Sequence, residues 1–298
     1  MRSFLSIAAI IVLTLALLPF QVVAVWFEWP LRRRIPTFYH RLVCAILGVR
    51  ITTIGRRTEA APLLIVANHV SWLDICVITA AAPVVFVAKR EVATWPVFGL
   101  LARLQRSIFV DRERRHKTRD VNGEIARRLA AGDAVLLFAE GTSSDGSHVG
   151  TFRSALIGAA RDTIAGAAPG ERVVIQPLSI AYTAVRGLPL ARANRSMVAW
   201  YGSTLLLPHL RQLVACGAID VTVTWGSAVD YDGSCDRKTM ARRLEGHVRA
   251  MTVAALRGRV SANPAHRDWD DARLFETVPA PPMFARQARI LSADRRHR

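Results

Sequence analysis

The sequence predicts an α/β fold, in which N-terminal membrane-anchoring helices precede a mainly parallel or mixed sheet flanked by helices. Three features predict it. Residues Ser3 to Phe27 carry no charge. Short continuous apolar runs follow, among them Leu63–Ala67 and Ala134–Phe138, the pattern of strands buried on both faces. Longer amphipathic stretches between such runs read as helices, and strands alternating with helices build an α/β sheet.

In chain order, the uncharged run is long enough to cross the ~30 Å hydrocarbon core of a bilayer as a helix. Pro19 inside it would kink it, which leaves a re-entrant or shallow helix open. A cleaved signal peptide, with Val22 and Ala24 before the cut, is the competing reading. The length of the run, Arg2 alone before it and Arg32, Arg33 and Arg34 soon after favour an uncleaved anchor. The arginine cluster places the remainder on the cytoplasmic side. Pro36 to about Leu47 is expected as a short helix stopped by Gly48, too short to span, and either interfacial, which the adjacent arginines favour, or part of the core. Residues 1–48 are thus a membrane-anchoring segment.

Strands are expected at Val49–Ile54, Leu63–Ala67, Val84–Ala88, Ser107–Val110, Ala134–Phe138, Val173–Ala181 and Ile219–Trp225. Helices are expected through Pro96 to Gln105, and over Val121–Ala131, Phe152–Ala168 and Lys238–Leu256. These elements make 49–257 a single α/β body. Residues 258–298, with Pro279, Pro281 and Pro282, read as a loosely ordered basic tail.

Composition narrows the function. The 298 residues hold 40 Lys+Arg against 23 Asp+Glu, a net charge of +17, and 51% are hydrophobic, which excludes a disordered chain. A basic surface suits a phosphate-rich partner, a membrane leaflet as well as nucleic acid. The 4 cysteines form no CxxC pair and read as reduced and structural. P-loop, GxGxxG, GxSxG and HExxH patterns are absent from the sequence, so nucleotide binding and nucleophile-elbow hydrolysis find no support.

Four segments carry candidate chemistry. Asn68-His69-Val70-Ser71-Trp72-Leu73-Asp74 follows a buried strand, at the carboxyl end where open sheets carry their sites. His69 and Asp74 can meet across a helix start, with Asn68 or Ser71 as its cap. An imidazole held by a carboxylate suits a general base acting on a hydroxyl, although such a pair also serves as a simple bond across a helix start. Phe109-Val110-Asp111-Arg112, with Arg114 and Arg115, offers forked donors to a phosphate, or a solvated charge run. Phe138-Ala139-Glu140-Gly141-Thr142-Ser143-Ser144 puts a carboxylate straight after a buried strand, where it needs a partner. In Val173-Val174-Ile175-Gln176-Pro177, the proline marks a bulge lining a pocket or an edge strand.

The order NHVSWLD, FVDR, FAEGT, VIQP behind an apolar helix resembles the glycerolipid acyltransferase family, specifically its bacterial 1-acylglycerol-3-phosphate acyltransferases. The match runs over about residues 60–180. The resemblance implies His69 as base, Asp74 as its orienting partner, Arg112 as ligand of the acceptor phosphate, and Glu140 with Gly141 at the acceptor site. It extends to Asn68, Ser71, Thr142 and Pro177 as substrate-binding positions. Ala139 replaces the usual proline of the third block, and Arg106 or Ser107 stands where the second often has glycine. Ser143 stands where phosphatidate-making members carry arginine. The implied reaction moves an acyl group from acyl carrier protein or coenzyme A to 1-acyl-glycerol-3-phosphate at the cytoplasmic face of the bacterial inner membrane. It needs no metal or cofactor and no nucleic acid. Relatives that acylate lyso-ornithine lipid share the four blocks and tolerate the change at Ser143, and supply the alternative acceptor. A membrane-anchored, non-catalytic polyanion binder is the reading from another class, and it gives His69 no role.

Overall fold

The computed structural model describes residues 2–110, 118–155, 157–158, 172–233 and 235–259, excluding the side chains of residues 2 and 118–122. Arg112, Arg114, Arg115, most of the Phe152–Ala168 helix and all but the first residues of the tail lie outside the described residues.

The chain opens with helix α1 (Arg2–Trp26), which continues through Pro19. Helix α2 (Leu31–Leu47) starts before Pro36 rather than at it. Proline has no N–H for the carbonyl four residues back, and here that carbonyl, Arg32 O, accepts from Gln21 Nε2 of α1 at 3.2 Å. Gly48 at φ 75° closes α2 in the left-handed conformation, which glycine adopts without a Cβ penalty.

Then come β1 (Val49–Ile54), β2 (Leu63–Ala67), α3 (Leu73–Ala81), β3 (Val85–Lys89), α4 (Phe98–Leu104), β4 (Ile108–Val110), α5 (Thr118–Ala130) and β5 (Val135–Phe138). The described remainder holds β6 (Val173–Val185), β7 (Leu188–Pro189), α6 (Leu206–Cys216), β8 (Ile219–Trp225), β9 (Val229–Tyr231) and α7 (Arg237–Leu256). The sequence did not predict α6, β7 or β9. The strands form one sheet in the order β1-β8-β6-β2-β5-β3-β4, with β7 and β9 also paired to β6. From β6 to β4 the neighbours run parallel, while β8 is antiparallel to β6 and carries β1 parallel beside it. The sheet is therefore mixed, as expected.

Alternation along β2 divides the core. Leu63, Ile65 and Ala67 join the cluster with α2, α3 and α6, whereas Leu64 and Val66 join the cluster with α5 and α7. Covered on both faces, every residue of β2 is buried.

The expectation for Pro177 needs correction. It lies in an inner strand, between β2 on one side and β8 and β9 on the other. On that second side, β9 pairs with Val173–Ile175 and β8 from Leu178 onward. Position 177 falls in the gap between the two partners, so the missing N–H breaks no ladder bond. Its carbonyl accepts from Gly226 N at 2.9 Å, and a Cβ on Gly226 would stand 2.8 Å from the proline ring. The break in register of β6 lies further on, between Tyr182 and Ala184.

Helix α1 packs on the body along its length. Ser6 Oγ reaches Ile46 O at 3.5 Å, Thr14 Oγ1 meets Tyr39 OH at 2.9 Å, and Gln21 Nε2 donates to Leu104 O of α4 at 2.7 Å. Its other face is bare hydrocarbon, with Phe4 76%, Val12 67%, Leu15 64%, Phe20 65% and Trp26 80% exposed.

Candidate active site

The end of β2 and the start of α3 are joined by Asn68–Trp72. Because β2 is clamped between β5 and β6, the loop after β5 and the strand β6 itself converge on this turn. Asn68, 2% exposed, bonds β6 as a strand would: its Nδ2 donates to Ile180 O and its Oδ1 accepts from Ile180 N, both at 2.9 Å. It does not cap α3. Ser71, fully buried, accepts from Leu73 N only at a long 3.4 Å.

The start of α3 is instead organised by Asp74. Its Oδ2 accepts from Val70 N at 2.7 Å, Ser71 N at 3.0 Å and His69 Nδ1 at 2.8 Å. Its Oδ1 accepts from the Tyr182 hydroxyl at 2.7 Å. The two backbone N–H groups on Oδ2 suit an ionised, acceptor-only carboxylate, toward which the Tyr182 hydroxyl and the imidazole can then only donate. The His69 proton therefore sits on Nδ1, and Nε2 keeps its lone pair. The ring lies flat on Phe138, centroids 4.0 Å apart and planes 16° apart, and its side chain is 17% exposed. An imidazole oriented by a buried carboxylate, its Nε2 unpartnered among the described residues, can take a proton from a hydroxyl.

The loop after β5 holds the backbone of the same histidine. Glu140 Oε1 accepts from His69 N and Oε2 from Gly150 N, both at 2.8 Å. Ser144 N and Oγ donate to His69 O at 2.9 and 3.2 Å. Burial raises the pKa of the Glu140 carboxyl, and the two N–H donors pull it back down. Gly141 stands at φ 76°, the left-handed region that favours glycine, and the Arg153 side chain lies over it, its Nε 2.6 Å from where a Cβ would stand. Thr142 is exposed.

Trp72 of the first block is fixed from α6, its indole N–H donating to His209 Nδ1 at 3.0 Å. Among the described residues, no group of three or more His, Cys, Asp or Glu side chains is placed to hold a metal ion.

The structure thus brings together His69, Asp74, Asn68, Ser71, Glu140 and Gly141. Pro177 is buried within β6, and Arg112 lies outside the described residues. The sequence did not place Phe138 and Ser144 beside the histidine, or Tyr182 beside Asp74. A tyrosine in the middle of an apolar strand was a usable signal, because a buried hydroxyl needs a partner.

A family model described as Acyltransferase matches residues 48–181. A lyso-ornithine lipid O-acyltransferase of Brucella abortus (strain 2308) is 48% identical over 87% of this chain and 96% of its own length. A protein of the same description from Rhizobium meliloti (strain 1021) is 43% identical over 84% of this chain and 85% of its own. A 1-acyl-sn-glycerol-3-phosphate acyltransferase of Neisseria meningitidis serogroup B is 29% identical, over 72% of this chain and 78% of its own. Among solved structures, the 1-acyl-sn-glycerophosphate acyltransferase PlsC from Thermotoga maritima matches with a TM-score of 0.57, covering 88% of this chain and 100% of that one. At 18% identity this likeness is one of fold.

Proposed function

The chain belongs to the acyltransferase family, and from that premise we propose that it transfers a fatty acyl group from an acyl thioester to the free hydroxyl of lyso-ornithine lipid. The observation that carries catalysis is the His69 imidazole, bound through Nδ1 to a fully buried carboxylate and without a hydrogen-bond partner at Nε2 among the described residues. The acceptor follows from the relatives at 48% and 43% identity, together with serine at position 143. Lysophosphatidate, the acceptor the sequence blocks first suggest, is the second reading. It is favoured by the Neisseria relative.

In this reaction Nε2 of His69 takes the hydroxyl proton as the acceptor oxygen attacks the thioester carbonyl. The tetrahedral intermediate then collapses, the C–S bond breaks, and the proton passes to the leaving thiolate of acyl carrier protein or coenzyme A. Asp74 stabilises the imidazolium in between; base catalysis of this kind supplies about 10²–10⁴-fold. Buried Asn68, Ser71 and Glu140 act on the geometry of His69 rather than by touching substrate. Exposed Thr142 and the exposed Arg153 guanidinium, packed on Gly141, lie in the loop that holds His69, which supports a role for them at the acceptor, where an arginine would offer a carboxylate or phosphate a forked donor.

Residues 1–48 serve as the membrane segment and 49–257 as the catalytic domain. A helix docked on α2, α4 and α6 along its length cannot leave the body to span a bilayer alone. We therefore read α1 as lying in one leaflet, the shallow alternative that Pro19 leaves open. Arg33 pairs with Asp133 at 3.0 Å, which ties the arginine cluster to the body, and the positive-inside rule supports a cytoplasmic face for both. Incubating the purified enzyme and an acyl thioester separately with lyso-ornithine lipid and lysophosphatidate tests the acceptor. Faster acylation of lyso-ornithine lipid is expected; a clear preference for lysophosphatidate would transfer the assignment to the second reading.

A further inference from the structure

We propose that Tyr182 is a positioning residue that completes a His69–Asp74–Tyr182 relay, acting on the base through the far oxygen of the carboxylate. The inference rests on the catalytic reading of His69 given above.

The two oxygens of Asp74 are served from different places. Oδ2 takes three donors from the turn that carries His69 itself. Oδ1 points across the sheet, where the Tyr182 hydroxyl reaches it at 2.7 Å. Asp74 is 0% and Tyr182 3% exposed, so water does not substitute for either partner. An unpaired carboxylate oxygen there would carry a full desolvation penalty.

Two devices bring the phenol to this point. Asn68 grips both backbone groups of Ile180, fixing β6 against the end of β2 two residues before the tyrosine. Tyr182 then stays in register with Val221, on the face of β6 that also carries Leu178 and Ile180, and the strand's register shifts only beyond it. The hydroxyl stays protonated, because burial and the adjacent Asp74 charge both raise its pKa. Tyr182 therefore donates and does not exchange a proton with Asp74.

Its effect on His69 has a definite sign. A donor on Oδ1 draws charge away from Oδ2 and weakens the pull of the carboxylate on the imidazolium. Removing it makes His69 more basic. His69 must be neutral to accept the substrate proton, so the acidic limb of the pH–rate profile moves to higher pH.

The test uses the full-length enzyme in mixed micelles with an acyl thioester and its lipid acceptor. Tyr182→Phe frees Asp74 Oδ1 and with it the orientation of the imidazole, and this loss of positioning is expected to lower kcat by about 10-fold, with KM little changed. The acidic limb should rise by about half a pH unit or more. In an Asp74→Asn background, Tyr182→Phe should cost little further, because residues acting through one another are not additive. Placing 3-fluorotyrosine at position 182 keeps the shape and strengthens the donor, and should move the limb the opposite way; this arm stands even if Tyr182→Phe does not fold. An unmoved acidic limb with either replacement, or additive losses with Asp74→Asn, would overturn the relay. Retained turnover in His69→Ala would instead overturn the catalytic reading on which it rests.

Discussion

Helix α1 and strand β2 are both almost pure hydrocarbon, yet they end in opposite surroundings. In β2, Leu64, Ile65, Val66 and Ala67 are each 0% exposed, because helices cover both faces of the sheet at that point. In α1, one face meets α2, α4 and α6, while Phe4, Val12, Leu15, Phe20 and Trp26 stay open. Burying one such side chain stabilises by about 1.5–3 kcal/mol. Strand β2 gains that in folding, whereas the open face of α1 leaves it to be gained from lipid. Apolar composition thus predicts a demand for burial, and the neighbouring elements decide whether the protein or the membrane meets it.

The comparison separates chemistry from anchoring, and the largest effect tests that separation. His69→Ala, just beyond β2, should lose about 10²–10⁴-fold in turnover while binding vesicles of anionic phospholipid as before; a parallel fall in flotation would show that the two regions are not independent. Asp74→Asn should lose less, since the ring remains but its cation is unsupported. Equal truncations sharpen the contrast: Ile65→Ala should destabilise by about 2–5 kcal/mol in urea unfolding, and Leu15→Ala by about 0.5 kcal/mol or less.

A charge should reverse that ranking. Val12→Asp with Leu15→Asp is expected to weaken vesicle binding about 10-fold or more, leaving the urea midpoint and the activity in detergent micelles nearly unchanged. An unaltered vesicle affinity would remove α1 from the membrane contact.

The smallest effect concerns pH. Because burial raises the pKa of Glu140 in the folded state, the native protein holds that proton more tightly than the unfolded chain. Its contribution is therefore fully present below the ordinary carboxylate range and is lost as pH rises through the folded value. Glu140→Gln removes this dependence but turns an amide donor toward His69 N or Gly150 N, a loss of about 1–3 kcal/mol. Thermal melts at pH 4 and 7 should show the two proteins differing most at the lower pH.

Much of the site was legible because it is local. His69 and Asp74 lie five positions apart, and the turn between β2 and α3 brings them together. Strand runs such as Leu63–Ala67 were legible for a similar reason, since burial on both faces leaves a continuous apolar signature. Helix α6 escaped because Pro208 and His209 interrupt its apolar pattern, and β7 and β9, of 2 and 3 residues, are too short to show a period.

The chain alone therefore specified an apolar N-terminal helix, an alternating α/β body and a histidine–carboxylate pair behind a buried strand. Tertiary structure decided which groups complete that pair. Glu140 is 71 positions from His69, and Tyr182 is 108 from Asp74. Their meeting depends on β2 lying between β5 and β6, an order selected by which faces pack together. It likewise decided that Pro177 sits inside the sheet and that α1 lies along the body. A residue's own chemistry states what partner it needs, and only the packed sheet determines which distant residue provides it.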